Sequence, residues 1–428
     1  MNPTVKKIDI LILIIVIIVA SLFFYRAGYI NPFPPTQPHP PDSDNTTTPP
    51  EEIPTPPASF ISSNRRDVSA EDEGVHYDRI RISREWWYYS AVFTGEDTQL
   101  QNWAVQISFN HMARSDLLGT GKPDLLLVTL YDPTGESYGG IINKERGLGI
   151  LNQGTLIANS PGVNLQFEDS WAEGAYPDWH IHAEGKDIDD QSDLIIDLDF
   201  HANSLPIWTI GTRAFDKSES SLASYLFLGC NITGEITIND ETYTVTGMGH
   251  HEHAWTPNLL TRETLNGWDW FYIPLSNGWG IYANSYYPTP QRLSSQTSRI
   301  NPLGTVLLTT DNGKTLTELK NVNLKITNED TRIFPFVKMP SGFSLDAQPS
   351  LNPLYLISQS LLFGSHLQLD LDITTTTDYN KVWKFPTYVG MKTSLCTITG
   401  TLSWDDDEGT HDVPLDGYGV CWSMRALL

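Results

Sequence analysis

Histidines and a glutamate crowd into one short block near the middle of the chain. Residues 247–255 read Gly-Met-Gly-His-His-Glu-His-Ala-Trp, so three of the eleven histidines lie within four positions. Two aromatic blocks accompany it, Glu-Trp-Trp-Tyr-Tyr at residues 85–89 and Gly-Trp-Asp-Trp-Phe at residues 267–271. Titratable groups among large aromatic side chains are typical of an enclosed, mostly apolar pocket with a few polar groups. The sequence therefore predicts a small-molecule site at these blocks.

Proton transfer beside a π surface is the chemistry that the middle block suits. If it forms a strand, His250 and Glu252 lie on one face, and His251, His253 and Trp255 lie on the other. His253 and Trp255 on one face could place a proton-handling group beside a π surface, which suits stabilisation of a carbocation because the ring attracts positive charge. Structural, hydrogen-bonded histidines are the alternative.

Asp269 is a further candidate acid. Alternation places it with Phe271, while Trp268 and Trp270 lie on the opposite face. A carboxylate in an apolar row has a raised pKa unless it is hydrogen-bonded. The alternative is a structural aspartate that backbone donors satisfy. If the blocks form one site, Glu85, His253, Trp255 and Asp269 must converge on one cavity.

The catalytic candidates are Glu252, His253, Trp255, Asp269 and, by the resemblance given below, Tyr282. The ligand-binding candidates are Glu85, Trp86, Trp87, Trp268, Trp270 and Phe271. For the first aromatic block, packing in a core is the alternative.

Two His-x-His pairs, His251/His253 and His180/His182, could chelate a metal on a strand. That spacing is not diagnostic, and no cysteine ligands accompany the pairs, so we predict neither a metal nor a cofactor. The sequence also has no Gly-x-Ser-x-Gly elbow, Walker loop or Rossmann glycine pattern.

Strands must position these residues, because helical periodicity is almost absent from residue 68 onward. Short apolar or alternating runs flank turn residues, as at Asn239-Asp240, Asn277-Gly278, Asn312-Gly313 and around Glu408-Gly409. The pattern predicts two antiparallel β-barrels of eight to ten strands each, at residues 67–262 and 263–428. A β-propeller is the alternative, but no repeat of suitable period is present.

An N-terminal membrane anchor and a spacer precede these domains in our interpretation. Residues 8–25 are apolar apart from Asp9 and Ser21 and would span roughly 27 Å as a helix. We expect an uncleaved anchor over residues 1–29, with the body outside the cell, although a cleaved signal peptide is the alternative. Residues 30–66 are rich in proline and threonine and predict a disordered stalk.

The net charge and the cysteines limit the function further. A formal charge of −24 argues against nucleic-acid binding, because no basic stripe is available to contact phosphates. Cys396 and Cys421 would lie opposite each other in a hairpin that turns around residues 408–409. A disulfide there and two unpaired thiols are equally consistent with the sequence, and Cys230 would stay unpaired.

The three blocks together resemble the lipocalin-like family of AttH proteins, hydroxyneurosporene synthase (carotenoid 1,2-hydratase) and fungal cyclases. The resemblance spans roughly residues 75–425 and implies two tandem lipocalin-like barrels, with an apolar pocket at or near their junction. By position, His253 and Trp255 match the family's His-x-Trp, and Tyr282 matches a tyrosine that an acidic residue follows two positions later. That acidic position is Asn284 here, His250 replaces a tyrosine, and Glu252 replaces an aspartate.

These observations predict a membrane-anchored, extracytoplasmic protein that binds a hydrophobic, isoprenoid- or lipid-like molecule. It could catalyse protonation, hydration or cyclisation of an alkene. The alternatives are a non-catalytic lipid carrier and a cell-envelope adhesion or assembly protein.

Overall fold

A computed structural model provides the structure of the chain. It describes residues 53–57, 65–77, 84–112, 124–133, 137–142, 156–187, 191–210, 223–256, 265–288, 304–333, 337–349, 366–383 and 389–426. The predicted anchor and most of the predicted stalk lie outside these residues. Among the helices that are described, none has the length and apolar character needed to cross a membrane.

The first sheet contains twelve antiparallel strands. They are β1 (Arg84–Val92), β2 (Ala104–Met112), β3 (Leu125–Tyr131), β4 (Ser137–Ile142), β5 (Ile157–Ala158), β6 (Val163–Phe167), β7 (Ser170–Ala175), β8 (Asp178–Lys186), β9 (Asp193–Ala202), β10 (Ile207–Ile210), β11 (Ala223–Ile238) and β12 (Glu241–Thr256). Their order is β4-β3-β2-β1-β12-β11-β9-β8-β7-β6-β5, with β10 on β11. The blocks at residues 85–89 and 247–255 are therefore adjacent, since β1 pairs with β12.

The second sheet contains nine antiparallel strands. They are β13 (Leu265–Pro274), β14 (Gly280–Pro288), β15 (Gly304–Thr309), β16 (Thr317–Leu319), β17 (Asn321–Ile333), β18 (Val337–Gln348), β19 (Leu367–Trp383), β20 (Val389–Asp406) and β21 (Gly409–Ala426). Their order is β16-β15-β14-β13-β21-β20-β19-β18-β17. The block at residues 267–271 lies in β13, between β14 and β21.

The all-β prediction is confirmed as two curled antiparallel sheets, but two details differ. The first sheet has twelve strands rather than eight to ten, because short strands such as β5, β6 and β7 extend it. Within the described residues, strand pairing also does not close either sheet into a barrel: the pairing runs from β4 to β5 in one and from β16 to β17 in the other. The predicted domain limits stay a prediction.

Each sheet curls around its own apolar core, and a third core lies between the sheets. Trp87, Tyr89 and Trp255 belong to the core of the first sheet, and Phe271 belongs to that of the second. The shared core contains aromatic side chains from both sheets: Tyr88 from β1, Trp270 and Tyr272 from β13, Tyr282 from β14 and Trp422 from β21. Strands β1 and β13 are buried on both faces because each lies between a sheet core and this shared core.

One helical turn, α1 (Ala70–Glu73), leads into β1. Ser69 caps it, since its side chain accepts from the backbone N–H of Asp72 while the Asp72 carboxylate accepts from the backbone N–H of Ser69. The Glu73 carboxylate accepts the indole N–H of Trp179 at 2.9 Å, and the indole N–H of Trp87 donates to the Glu73 carbonyl at 3.0 Å. These bonds fix the N-terminal segment against the core of the first sheet.

The last two strands form the predicted hairpin with a different register. Asp406 pairs with Gly409, so the turn is centred one residue earlier than predicted, and the pairing moves by two residues. Cys421 consequently lies opposite Ser394 and Cys396 lies opposite Gly419. All three cysteines are buried free thiols.

Candidate functional site

Alternation along β1 and β12 sends the chemistry-bearing residues to opposite faces of the first sheet. Trp87 lies opposite His253 in the pairing of β1 with β12, and both belong to the inner face, where their rings stack at 4.6 Å. Tyr88 lies opposite Glu252, and both face the second sheet. The predicted division of the histidine block between two faces is therefore present in the structure.

Glu252 lies between the two sheets and contacts neutral hydrogen-bond donors from both. The indole N–H of Trp86 donates to Oε1 at 3.4 Å, and that of Trp270 donates to Oε2 at 3.3 Å. The hydroxyl of Tyr282 also donates to Oε2, at 3.4 Å. All three bonds are longer than a charge-assisted hydrogen bond to a carboxylate, which is about 2.5–2.9 Å. The carboxyl is thus enclosed by the two sheets, but its hydrogen bonds are weak.

Burial dominates the titration of this carboxyl. It raises the pKa of Glu252 from 4.5 to about 7, although the three donors and the charge of Arg84 act in the opposite direction. Arg84 is buried between two tryptophans, with its guanidinium carbon 4.9 Å from the ring centroid of Trp86 and 5.5 Å from that of Trp268. At neutral pH, Glu252 consequently exists as both the acid and its conjugate base.

Asn284 occupies the position where the family resemblance implies an acid. Its side-chain amide donates to the Tyr282 hydroxyl at 3.0 Å, and that hydroxyl in turn donates to Glu252. Asn284 has no proton to deliver as an acid, but it orients the tyrosine toward Glu252. The carboxyl of this part of the site therefore comes from the first sheet.

A second titratable cluster lies inside the first sheet, around Glu85. Its carboxylate accepts from the backbone N–H groups of His76 and Tyr77 at 3.0–3.1 Å. The same carboxylate contacts His76 Nδ1 at 2.7 Å and His253 Nε2 at 2.9 Å. Burial lowers the pKa of His253 to about 4, so its neutral ring donates through Nε2 and accepts the hydroxyl of Tyr225 at Nδ1, 3.1 Å away.

Hydrogen bonding explains this inner cluster better than a metal does. One potential metal-ligand atom from each of His76, Glu85 and His253 lies within 4.8 Å of the other two, so this set could hold zinc. Ligands of a tetrahedral zinc ion lie roughly 3.3 Å apart, however. Here Oε1 of Glu85 lies 2.7 Å from Nδ1 of His76 and 2.9 Å from Nε2 of His253, and both distances are those of hydrogen bonds. His76 also stacks on Trp255 at 3.9 Å, which fixes the imidazole in place.

Asp269 forms a third, separate cluster. Arg425 Nη2 contacts both of its carboxylate oxygens at 2.9–3.0 Å, and Ser423 and Tyr287 donate hydroxyl hydrogen bonds at 2.6 and 2.5 Å. The aspartate is fully buried. An arginine and two hydroxyl groups therefore bind the carboxylate, so its partners are side chains and not the backbone donors of the structural alternative.

The expected convergence on one cavity is therefore not found. Glu85, Trp87, His253 and Trp255 lie in the core of the first sheet, Phe271 lies in that of the second, and Asp269 lies with Arg425. The residues around Glu252 form what we call the intersheet site: Arg84, Trp86, Tyr88, His250, Glu252, Trp268, Trp270, Tyr282 and Asn284. The catalytic roles predicted for His253, Trp255 and Asp269 stay predictions; among the described residues, the carboxyl of Glu252 accepts hydrogen bonds from Trp86, Trp270 and Tyr282 instead.

Several partners were not predicted from sequence. Glu73 and His76 precede β1, and the capping pattern of Ser69 and Asp72 is the signal that indicates the helical turn that ends at Glu73. Arg84 directly precedes the block at 85–89, whereas Arg425 is far away in sequence and adjoins the block at 267–271 only through the pairing of β13 with β21.

The His180/His182 pair lies on the outer side of the first sheet. His180 Nδ1 and His182 Nδ1 each contact an aspartate at 2.7 Å, Asp199 and Asp197 respectively. These imidazole–carboxylate contacts are partly exposed, and the ring of Trp171 lies against both histidines. Two strands, β9 and β11, separate their strand β8 from β12, which contains Glu252.

Fold and site together define an all-β protein of two curled sheets with an acid-bearing aromatic site between them. An AttH-like family model matches residues 62–350, more than half of the chain, and the chain therefore belongs to the AttH-like family. The resemblance seen in the three sequence blocks is confirmed.

Two solved structures share this fold. A crystal structure of an AttH protein from Nitrosomonas europaea has a TM-score of 0.50 at 14% identity and covers 87% of this chain and 98% of its own. Kievitone hydratase from Nectria haematococca has a TM-score of 0.52 at 12% identity and covers 86% of this chain and 98% of its own. No curated protein sequence matches the chain.

Proposed function

We propose that this chain protonates a carbon–carbon double bond of a hydrophobic, isoprenoid-like molecule bound at the intersheet site. Glu252 supplies the proton to the alkene. Capture of the resulting carbocation by water gives an alcohol, whereas capture by a second double bond gives a ring. The observation that carries the proposal is a buried carboxyl whose pKa is about 7, enclosed by aromatic side chains of both sheets.

The titration of Glu252 suits a general acid. A group that delivers a proton at neutral pH works best when its pKa lies near that pH, because it then carries the proton and still releases it. The donors at 3.3–3.4 Å from Trp86, Trp270 and Tyr282 can stabilise the carboxylate after the proton has left. The other two candidate carboxylates, Glu85 and Asp269, already have short bonds to cationic or imidazole partners.

Aromatic rings around Glu252 suit the carbocation that protonation would create. Trp86 and Trp270 both reach the carboxyl, and Tyr88 lies 4.7 Å from Trp270 in an edge-on contact. A cation over an aromatic face gains about 2 kcal/mol or more when water is excluded. These rings take the place of Trp255, which stacks on His76 inside the first sheet.

The similar fold of a protein named as a hydratase supports this choice among acid-catalysed reactions. We further propose that residues 8–25 anchor the protein in a membrane and that the proline-rich segment holds the body outside the cell. This placement would bring the intersheet site near lipid-soluble substrates.

The test is incubation of the full chain in detergent with two probes, geranylgeraniol and squalene, followed by mass spectrometry of the products. We expect Glu252→Gln to reduce product formation at least about 100-fold, because general acid catalysis contributes about 10²–10⁴. Glu73→Gln is the matched control. Burial also raises the pKa of Glu73 to about 7, but its carboxylate lies in the first sheet with Trp179 and Tyr176, so its variant should retain activity.

Equal product from wild type and Glu252→Gln would refute the role of Glu252. Binding of both probes by the wild-type protein without any conversion would instead favour the carrier function.

A further inference from the structure

His250 is a fully buried histidine of the intersheet site. Its side chain has no exposed surface, and neither ring nitrogen forms a hydrogen bond within the described part of the chain. Four aromatic rings surround it at centroid distances of 5.2–5.9 Å, namely Tyr88, Trp270, Tyr272 and Tyr282. Buried polar atoms nearly always have partners, so two unsatisfied nitrogens on one ring indicate a ligand or water contact.

The imidazole lies within reach of the proposed acid. His250 Nε2 is 3.9 Å from Glu252 Oε2, which is too far for a direct hydrogen bond. Two atoms at this separation can both hydrogen-bond one oxygen atom at about 2.8 Å from each. A single water molecule could therefore contact His250 and Glu252 together.

The protonation states of the two groups are complementary. Burial, followed by the charge of neighbouring His251, lowers the pKa of His250 well below its usual value, so the ring is a neutral base. Burial raises the pKa of Glu252 to about 7. The other titratable groups packed around His250 are tyrosines from β1, β13 and β14, and burial raises their pKa values well above 10: Tyr88, Tyr272 and Tyr282. Paired groups with opposed pKa shifts are typical of an acid and a base that share one reaction.

We propose that His250 is a second catalytic residue, the base that takes the proton of the water molecule that attacks the carbocation. This role rests on the proposed function of Glu252 as the acid. It also assigns the intersheet site to hydration, since a ring-forming capture needs no base for water.

The steps balance in atoms and electrons. The O–H bond of the Glu252 carboxyl breaks, and the alkene π pair forms a new C–H bond, which leaves a carbocation and a carboxylate. A lone pair of water then forms the C–O bond, and one O–H bond of that water breaks as its proton moves to His250 Nε2. The imidazolium finally returns its proton to the Glu252 carboxylate, so alkene and water become an alcohol and both side chains are restored.

Solvent deuterium separates the two roles. In D₂O, Glu252 alone can deuterate the alkene of geranylgeraniol and then remove a proton from the cation, which returns alkene that contains deuterium. Hydration also needs the base. The measurement therefore follows two products from the full chain in detergent, deuterated alkene and alcohol.

We expect His250→Phe to reduce hydration about 100-fold while deuterium exchange into the alkene stays within about threefold of wild type. His250→Gln, which keeps polar atoms but no basic nitrogen, should behave in the same way and decides the matter if the Phe variant does not fold. Glu252→Gln should abolish both products.

Two results would overturn the assignment. Unchanged hydration in both His250 variants would show that no base is needed there. An equal loss of exchange and hydration would show that His250 only maintains the structure of the site. A wild-type protein with neither product refutes the proposed function itself, and the wild-type control reveals this outcome before any variant is compared.

Discussion

The raised pKa of Glu252 predicts a specific dependence of stability on pH. Its value is about 7 in the folded protein against an ordinary value of 4.5. Between these values the folded state holds a proton that the unfolded chain releases, so the free energy of unfolding falls as the pH rises. The destabilisation is absent below about pH 4.5 and complete above about pH 7.

The magnitude follows from the two pKa values. A difference of one in pKa corresponds to about 1.4 kcal/mol, so the full difference between 4.5 and about 7 is worth about 3 kcal/mol. Most of this, about 2–3 kcal/mol, develops between pH 5 and pH 8. Glu252→Gln cannot ionise and should therefore gain about 2–3 kcal/mol in stability relative to wild type over that interval.

Urea unfolding of the full chain, followed by tryptophan fluorescence at pH 5, 6, 7 and 8, measures this gain. Trp86 and Trp270 contact the carboxyl and report on the intersheet site. Glu73→Gln should show a gain of similar size, because the pKa of Glu73 is also raised to about 7 and its carboxyl lies in a different core. The two gains should add in the double variant. A constant difference between Glu252→Gln and wild type from pH 5 to pH 8 would refute the raised pKa and, with it, the acid role.

Three further predictions concern stability. Asp269→Ala should cost about 3 kcal/mol in urea unfolding, because it leaves the largely buried Arg425 without its carboxylate; a loss below about 1 kcal/mol would contradict the ion pair. Gly313→Ala should destabilise the protein by at least about 2 kcal/mol more than Gly278→Ala. The two glycines have similar φ values, 89° and 84°, but a Cβ added at Gly313 would collide with the Leu228 carbonyl, whereas one added at Gly278 would meet no atom. Equal losses would show that β11 does not approach the turn after β15. Dithiothreitol should leave the unfolding midpoint of the wild-type protein unchanged, since its cysteines are free thiols, and a lower midpoint would reveal a disulfide.

The strand pattern was readable because turn residues and alternation are local signals. Asn239, Gly278, Asn312 and Gly313 all adopt positive φ, the conformation that asparagine and glycine tolerate best, and each lies at a predicted turn. Alternation also predicted which residues of the histidine block share a face. Local chemistry was therefore sufficient for hairpins and faces.

The sequence did not reveal which residues form the intersheet site, and strand β1 shows why. Both faces of this strand are buried, with Trp87 in one core and Tyr88 in another, so hydrophobicity does not reveal which face meets the second sheet. The partners of Glu85 and Asp269 also come from distant or unrecognised segments, His76 and Arg425. Sequence spacing alone therefore suggested one site, whereas the structure contains three separate clusters, around Glu85, Asp269 and Glu252.

What distinguishes the three predicted carboxyl groups is the strength of their contacts. Glu85 accepts two backbone N–H groups and two imidazoles, and Asp269 accepts an arginine and two hydroxyls, all at 2.5–3.1 Å. Several of these short bonds would have to break or rearrange before either carboxylate could exchange a proton with a substrate. Among the described residues, Glu252 accepts hydrogen bonds only from neutral donors at 3.3–3.4 Å, and the neutral imidazole of His250 lies 3.9 Å away among aromatic rings of both sheets. Proton transfer at Glu252 would disturb no short hydrogen bond of its carboxyl, and this is the physical reason why we propose the reaction between the sheets and not inside either one.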